Sequence, residues 1–131
     1  MIRSARRVAM VYCSVALPLL AAPARLAAQD WTIDAVRYAT IRAFPVAGLV
    51  VGAPRDERMD ISMVFWLLRA GDRVVLFDTG FHHPEWMRQF EVADYVRPDS
   101  ALLAAGVEPD AVTDVIISHA HWDHMGGIDL F

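Results

Sequence analysis

Five histidines occur in the 131-residue chain, and three of them fall within six positions: His119, His121 and His124, with Asp123 beside the last. Imidazole nitrogens and carboxylate oxygens are the usual donors for zinc and its neighbours, at about 2.0–2.2 Å. On a strand, positions 119, 121 and 123 share a face and 124 points away. On a helix, 119 aligns with 123, and 121 with 124. Neither regular element gathers all four, so the spacing predicts a tight loop. Four donors from six residues also crowd a single tetrahedral ion. Two neighbouring ions are the easier arrangement, His119 and His121 on one, Asp123 and His124 on the other, each completed from elsewhere. Two ions about 3.5–4 Å apart suit hydrolysis, because they activate a water and polarise the attacked oxygen. Gly126 and Gly127 then let the backbone turn away without a Cβ clash.

Such a loop needs elements to hold it. Residues 112–118 read as a short buried strand delivering His119. Upstream, the apolar run 61–69, the turn Ala70-Gly71-Asp72 and the run 73–78 predict a β-hairpin. Its second strand stops at Asp78-Thr79-Gly80, where a carboxylate ends a hydrophobic run. That is either a functional carboxylate or a turn or helix cap. Residues 36–44 predict a further strand, and the Gly- and Pro-punctuated stretch 45–58 a loop with a short strand at 49–51. Pro84 opens a short helix to 90, and Asp99-Ser100 caps a second through 101–105, closed by Gly106. Residues 107–110 form a turn, and Gly126-Gly127 opens another helix. His82 and His83, next to Pro84, are expected to face solvent instead of binding metal. Alternating sheet and helix argues for an α/β layered domain.

Length and composition set the frame. The chain is one domain or part of one, 56% hydrophobic and without low-complexity tracts. A net charge of −4 gives no reason to expect nucleic acid as a partner. All twelve basic residues are Arg, which excludes a Schiff-base lysine. Arg3, Arg6 and Arg7, the apolar run 8–22 and the small residues up to Ala28 have the three-part pattern of a signal peptide, cleaved after Ala28. The expected location is therefore periplasmic or secreted, with membrane contact only during export. Residues 1–28 carry four Arg and no acids, so the remainder holds eight Arg against 16 Asp and Glu, a net of −8. The sole cysteine, Cys13, leaves with the leader, which removes disulfides and thiolate ligands.

The pattern His119-x-His121-x-Asp123-His124 with Gly126-Gly127 resembles the signature of the metallo-β-lactamase superfamily of hydrolases. Leu76-Phe77-Asp78-Thr79-Gly80 resembles that family's first motif, on the strand before the metal loop. The resemblance implies a four-layer αββα sandwich, two zinc ions, and a bracing role for Asp78 behind the ligands. Within the superfamily, residues 63–69, Asp78-Thr79-Gly80-Phe81 and 107–110 leading into His119 look similar to the N-acyl homoserine lactonase-like group. That implies hydrolysis of a small-molecule ester or lactone, with Asp123 shuttling a proton to the leaving oxygen. The family also uses a downstream His, a bridging Asp and a further His. Only Asp129 follows the loop here, too close to fill those roles, so residues 29–131 look like the N-terminal half of the sandwich. The alternatives are an exported β-lactamase or thioesterase of the same superfamily, or an inactive fragment that binds metal weakly.

Overall fold

Long apolar stretches rich in Val, Ile, Phe and Trp favour extended chain, and here they pair into one sheet. The computed structural model describes residues 29–131. The leader and its expected cleavage point at Ala28 lie outside the described residues. Strands β1 (Thr32–Pro45), β2 (Arg58–Ala70), β3 (Arg73–Phe77), β4 (Val92–Ala93) and β5 (Asp114–Ile116) run in the order β4-β1-β2-β3-β5. All neighbours are antiparallel except β3 and β5, which are parallel. The crossover between those two carries helices α1 (Pro84–Gln89) and α2 (Pro98–Ala104); α3 (Trp122–Met125) follows β5. No helix among the described residues is long and apolar enough to cross a membrane.

The expected hairpin is present, and its first strand is longer than predicted because β1 pairs with β2 from Thr32↔Arg69 to Pro45↔Arg58. Residues 49–51 are not a strand: a 3-10 turn at Val46–Gly48 precedes them, and Val51 is fully exposed with nothing to pair against. β4 was not foreseen, since two residues carry no periodicity. β5 spans three residues, so Ile117 and Ser118 already belong to the loop. α2 begins at Pro98, whose fixed φ and missing N–H suit a first helical turn. Asp99 therefore lies inside that turn, paired with Arg97, and does not cap it.

Cross-strand partners share a face of the sheet. Val36 with Phe65, and Leu67 with Leu76, point into a core closed by Ala101, Leu102 and Phe81. On the other face Ile33, Trp66 and Ile116 remain exposed. A β-bulge between Arg37 and Ala39 makes Tyr38 the extra residue opposite the Val64–Met63 step. Tyr38 keeps the core face of Val36, at 1% exposure, and the register shift brings Ala39 and Ile41 onto that face as well.

Adjacent residues of β2 thus differ sharply in burial, Phe65 at 0% and Trp66 at 43%. Phe65→Ala is expected to cost about 3–5 kcal/mol, and Trp66→Ala less than half as much. Urea denaturation of the two variants checks the assignment of faces; equal losses would contradict it.

Candidate metal centre

The parallel register Phe77↔Ile116 brings the ends of β3 and β5 side by side, and Asp78 N–H continues the ladder to Ile116 O at 2.8 Å. The chain then turns at Asp78, whose φ of 64° lies in the left-handed region. Asp tolerates that region better than most residues. The turn aims the carboxylate at the neighbouring loop. Oδ1 accepts the Ser118 N–H at 2.8 Å, and Oδ2 accepts the Ser118 hydroxyl at 2.9 Å. Oδ2 also lies 2.7 Å from His124 Nδ1. Asp78 is only 5% exposed. Burial by itself raises its pKa, but the hydrogen bonds from His124 and from the Ser118 amide and hydroxyl hold the carboxyl below its ordinary value.

The next residues grip the same loop. Thr79 donates both its N–H (2.8 Å) and its hydroxyl (3.0 Å) to His124 O. The Tyr38 hydroxyl donates to Asp123 O at 3.1 Å. Burial first, then the charge of Asp123, pushes the Tyr38 phenol above its usual range, so it stays a donor. Trp122 stacks against the rings of Trp86 (5.0 Å) and Phe90 (4.9 Å), which lie side by side, with Phe81 edge-on at 4.7 Å. Such contacts tie the segment between His121 and Asp123 to α1.

The predicted loop is therefore half helical: His119 and His121 lie on extended chain, while Asp123 and His124 occupy the single turn of α3. The four side chains form two pairs. His119 Nε2 lies 3.0 Å from His121 Nδ1, and His124 Nε2 lies 3.3 Å from Asp123 Oδ2. The His119 and His124 rings are 4.0 Å apart. Two ligands on one tetrahedral ion at about 2.0–2.2 Å stand roughly 3.3–3.6 Å apart, so each pair has nearly the bite of half a shell. Among the described residues, no group of three His, Cys, Asp or Glu side chains is arranged to hold one ion. The donor types fit zinc, and the pairing fits two sites, each with two of its ligands from this loop. Ser118, Thr79 and Tyr38 are not among the ligands and the bracing residue expected from the sequence; only the hydroxyl next to His119 offered a signal.

His82 and Asp129 stand apart from this group. His82 Nε2 lies 2.9 and 3.1 Å from the two Asp129 oxygens, and its ring stacks on His83. The hydrogen bond from His82, ahead of other causes, lowers the Asp129 pKa. Asp129 sits in a 3-10 turn, Ile128–Leu130, in place of a regular helix.

Gly126 and Gly127 have φ of −71° and −114°, so they are not needed for a left-handed turn. Their requirement is closeness: a Cβ on Gly127 would stand 2.5 Å from Thr79 O. Gly127→Ala is expected to destabilise the chain by about 1–3 kcal/mol, because the obstacle is backbone. Chemical denaturation measures the loss, and an unchanged midpoint would show that the loop relaxes freely.

Comparison with known proteins places the chain in a family. The chain is 33% identical over 86 residues to the N-acyl homoserine lactonase AiiB of Agrobacterium fabrum (strain C58), an overlap of 56% of this chain and 31% of that protein. It thus spans about a third of the length of this curated relative. It superposes on an N-acyl homoserine lactone hydrolase with N-hexanoyl-L-homoserine bound at the catalytic metal centre. The TM-score is 0.59 at 19% identity, covering 79% of this chain and 45% of that one. A probable metal-dependent hydrolase from Staphylococcus aureus gives 0.57 at 16% identity, covering 76% and 41%. These two likenesses concern the fold, an α/β arrangement of which this chain supplies one sheet and its helices. The model of the metallo-beta-lactamase superfamily matches residues 64–131, more than half of the sequence, and the chain belongs to that superfamily.

Proposed function

We propose that this chain carries the first metal-binding loop of a dinuclear zinc hydrolase acting on a small-molecule ester or lactone. The observation that carries this is the paired placement of His119 with His121 and of Asp123 with His124. Behind the second pair lies the Asp78 carboxylate, against His124 Nδ1. Such carboxylate–histidine contacts fix the ring and raise its basicity as a ligand. The identity to AiiB supports the lactone over other substrates.

His119 and His121 would hold one ion, Asp123 and His124 the other. When bound, the metals supply an activated water and polarise the carbonyl. The chain's own groups do the rest. Asp78 keeps the Nε2 side of His124 turned outward by occupying Nδ1. Thr79 and Tyr38 fix the backbone that carries Asp123 and His124. Asp123, in α3, would take the proton given up by the attacking water and pass it to the leaving alkoxide. A groove of about 240 Å³ lined by Ile41, Phe44, Ile61, Met63, Phe90 and Trp122 opens beside Asp123. Its apolar walls suit the hydrocarbon part of an acyl substrate. Export through the leader, cleaved after Ala28, belongs to the same proposal.

The test is hydrolysis of N-hexanoyl homoserine lactone and of a simple ester by the zinc-loaded full-length protein. Ring opening, abolished in His121→Ala together with about half of the bound zinc, is the expected result. Failure on both substrates overturns the proposal. Turnover of nitrocefin, with neither lactone nor ester touched, would transfer the reading to a β-lactamase.

A further inference from the structure

Ser118 stands between one carboxylate and two histidines. Its Oγ is 2.9 Å from Asp78 Oδ2, 3.0 Å from His119 Nδ1 and 3.2 Å from His124 Nδ1. Its amide is held by the other Asp78 oxygen at 2.8 Å. A serine hydroxyl has one proton to give and two lone pairs to receive with.

The direction of each bond follows. Asp78 is the common acceptor: Oδ1 takes the Ser118 amide, and Oδ2 lies within hydrogen-bond distance of both the Ser118 hydroxyl and His124 Nδ1, the pattern of an ionised carboxylate. An ionised carboxylate only accepts, so both the Ser118 proton and the His124 Nδ1 proton point towards it. The Ser118 lone pairs then face His119 Nδ1, and a contact of 3.0 Å there requires the proton on Nδ1. His119 Nε2 is left with a free lone pair, facing His121 Nδ1 at 3.0 Å.

We propose that Ser118 is a positioning residue, a hydroxyl relay through which Asp78 sets the Nδ1–H form of His119 as well as that of His124. One buried carboxylate thereby presents the Nε2 atoms of two rings, although it touches only one of them. The relay rests on the metal reading only for its purpose; the proton positions are a property of the metal-free chain. In free imidazole neither nitrogen is held to one form, so a fixed tautomer needs such a partner.

Long-range 1H–15N NMR of the metal-free protein at about pH 8.5, two units above the free imidazole value, reads both rings. His119 and His124 are both expected as Nδ1–H. In Ser118→Ala, His119 moves towards Nε2–H while His124 stays; Ser118→Thr restores His119. Asp78→Asn shifts both rings. Zinc titration is expected to show about a ten- to hundred-fold weaker site in Ser118→Ala, recovered in Ser118→Thr. If the wild-type His119 is already Nε2–H, or if Ser118→Ala leaves it on Nδ1, the relay is wrong. The wild-type spectrum alone decides the matter should Ser118→Ala fail to fold. Zinc that fails to bind a wild-type chain with both rings on Nδ1–H would refute the metal site and leave the relay standing.

Discussion

A nearly buried carboxylate is costly unless hydrogen bonds replace its water. Asp78 meets that condition by drawing three donors from the metal loop: the Ser118 amide, the Ser118 hydroxyl and His124 Nδ1. The arrangement works in both directions. The loop has its histidine oriented by the carboxylate, and the carboxylate stays ionised at 5% exposure because the loop is there. A left-handed backbone at Asp78, of order 1 kcal/mol for a non-glycine residue, is the local cost of aiming the side chain sideways off the strand.

Everything else in the fold serves that meeting. Residues 78 and 118 are forty positions apart in sequence, and only the parallel pairing of β3 with β5 brings them together. The α1–α2 crossover makes that pairing possible, and its aromatic residues Trp86 and Phe90 hold Trp122 from the far side. Tyr38, at the bulge in β1, reaches the backbone of Asp123, 85 residues away. Thr79 and Gly127 are packed so closely that a methyl group between them has no room. The loop is thus restrained on three sides, by β3, by β1 and by α1. Preorganised donors of this kind lose little freedom when an ion arrives.

The four candidate donors stand out in the sequence because their types and spacing are chemically rare. Asp78 stands out as a carboxylate at the end of Val74-Val75-Leu76-Phe77, but those residues left a turn or cap open, and a bracing role came only with the resemblance to the family's first motif. Its partners do not stand out. Ser118 looks like an ordinary strand residue until β3 lies beside it, and Tyr38 reads as an ordinary inward-facing strand residue until Asp123 is brought against it. The two glycines were rightly expected to need the absence of a Cβ, but the reason is contact with Thr79 and Trp122 and not a turn. Secondary structure was read best where apolar runs were long, as in β2 and β3. It was missed where pairing decides, as in the two-residue β4 and the exposed segment 49–51. Three residues cannot declare themselves a strand, so the expected element at 112–118 was longer than β5.

The pairing of donors also divides what local sequence can achieve from what it cannot. A two-residue spacing sets His119 Nε2 and His121 Nδ1 at 3.0 Å, and one helical turn sets His124 Nε2 and Asp123 Oδ2 at 3.3 Å. These bites are fixed by short-range geometry and braced by Asp78. A tetrahedral ion takes four ligands, so each pair, were it to hold an ion, would leave two positions for water, substrate or other protein groups. Six residues of chain cannot wrap around both ions, because the backbone already lies on one side of the pairs, held there by Thr79 and Tyr38. His119 and His121 are exposed. On the proposed reading the remaining ligands and a substrate carbonyl would both approach from that open side, so completing the metal shells and admitting substrate would compete for the same face.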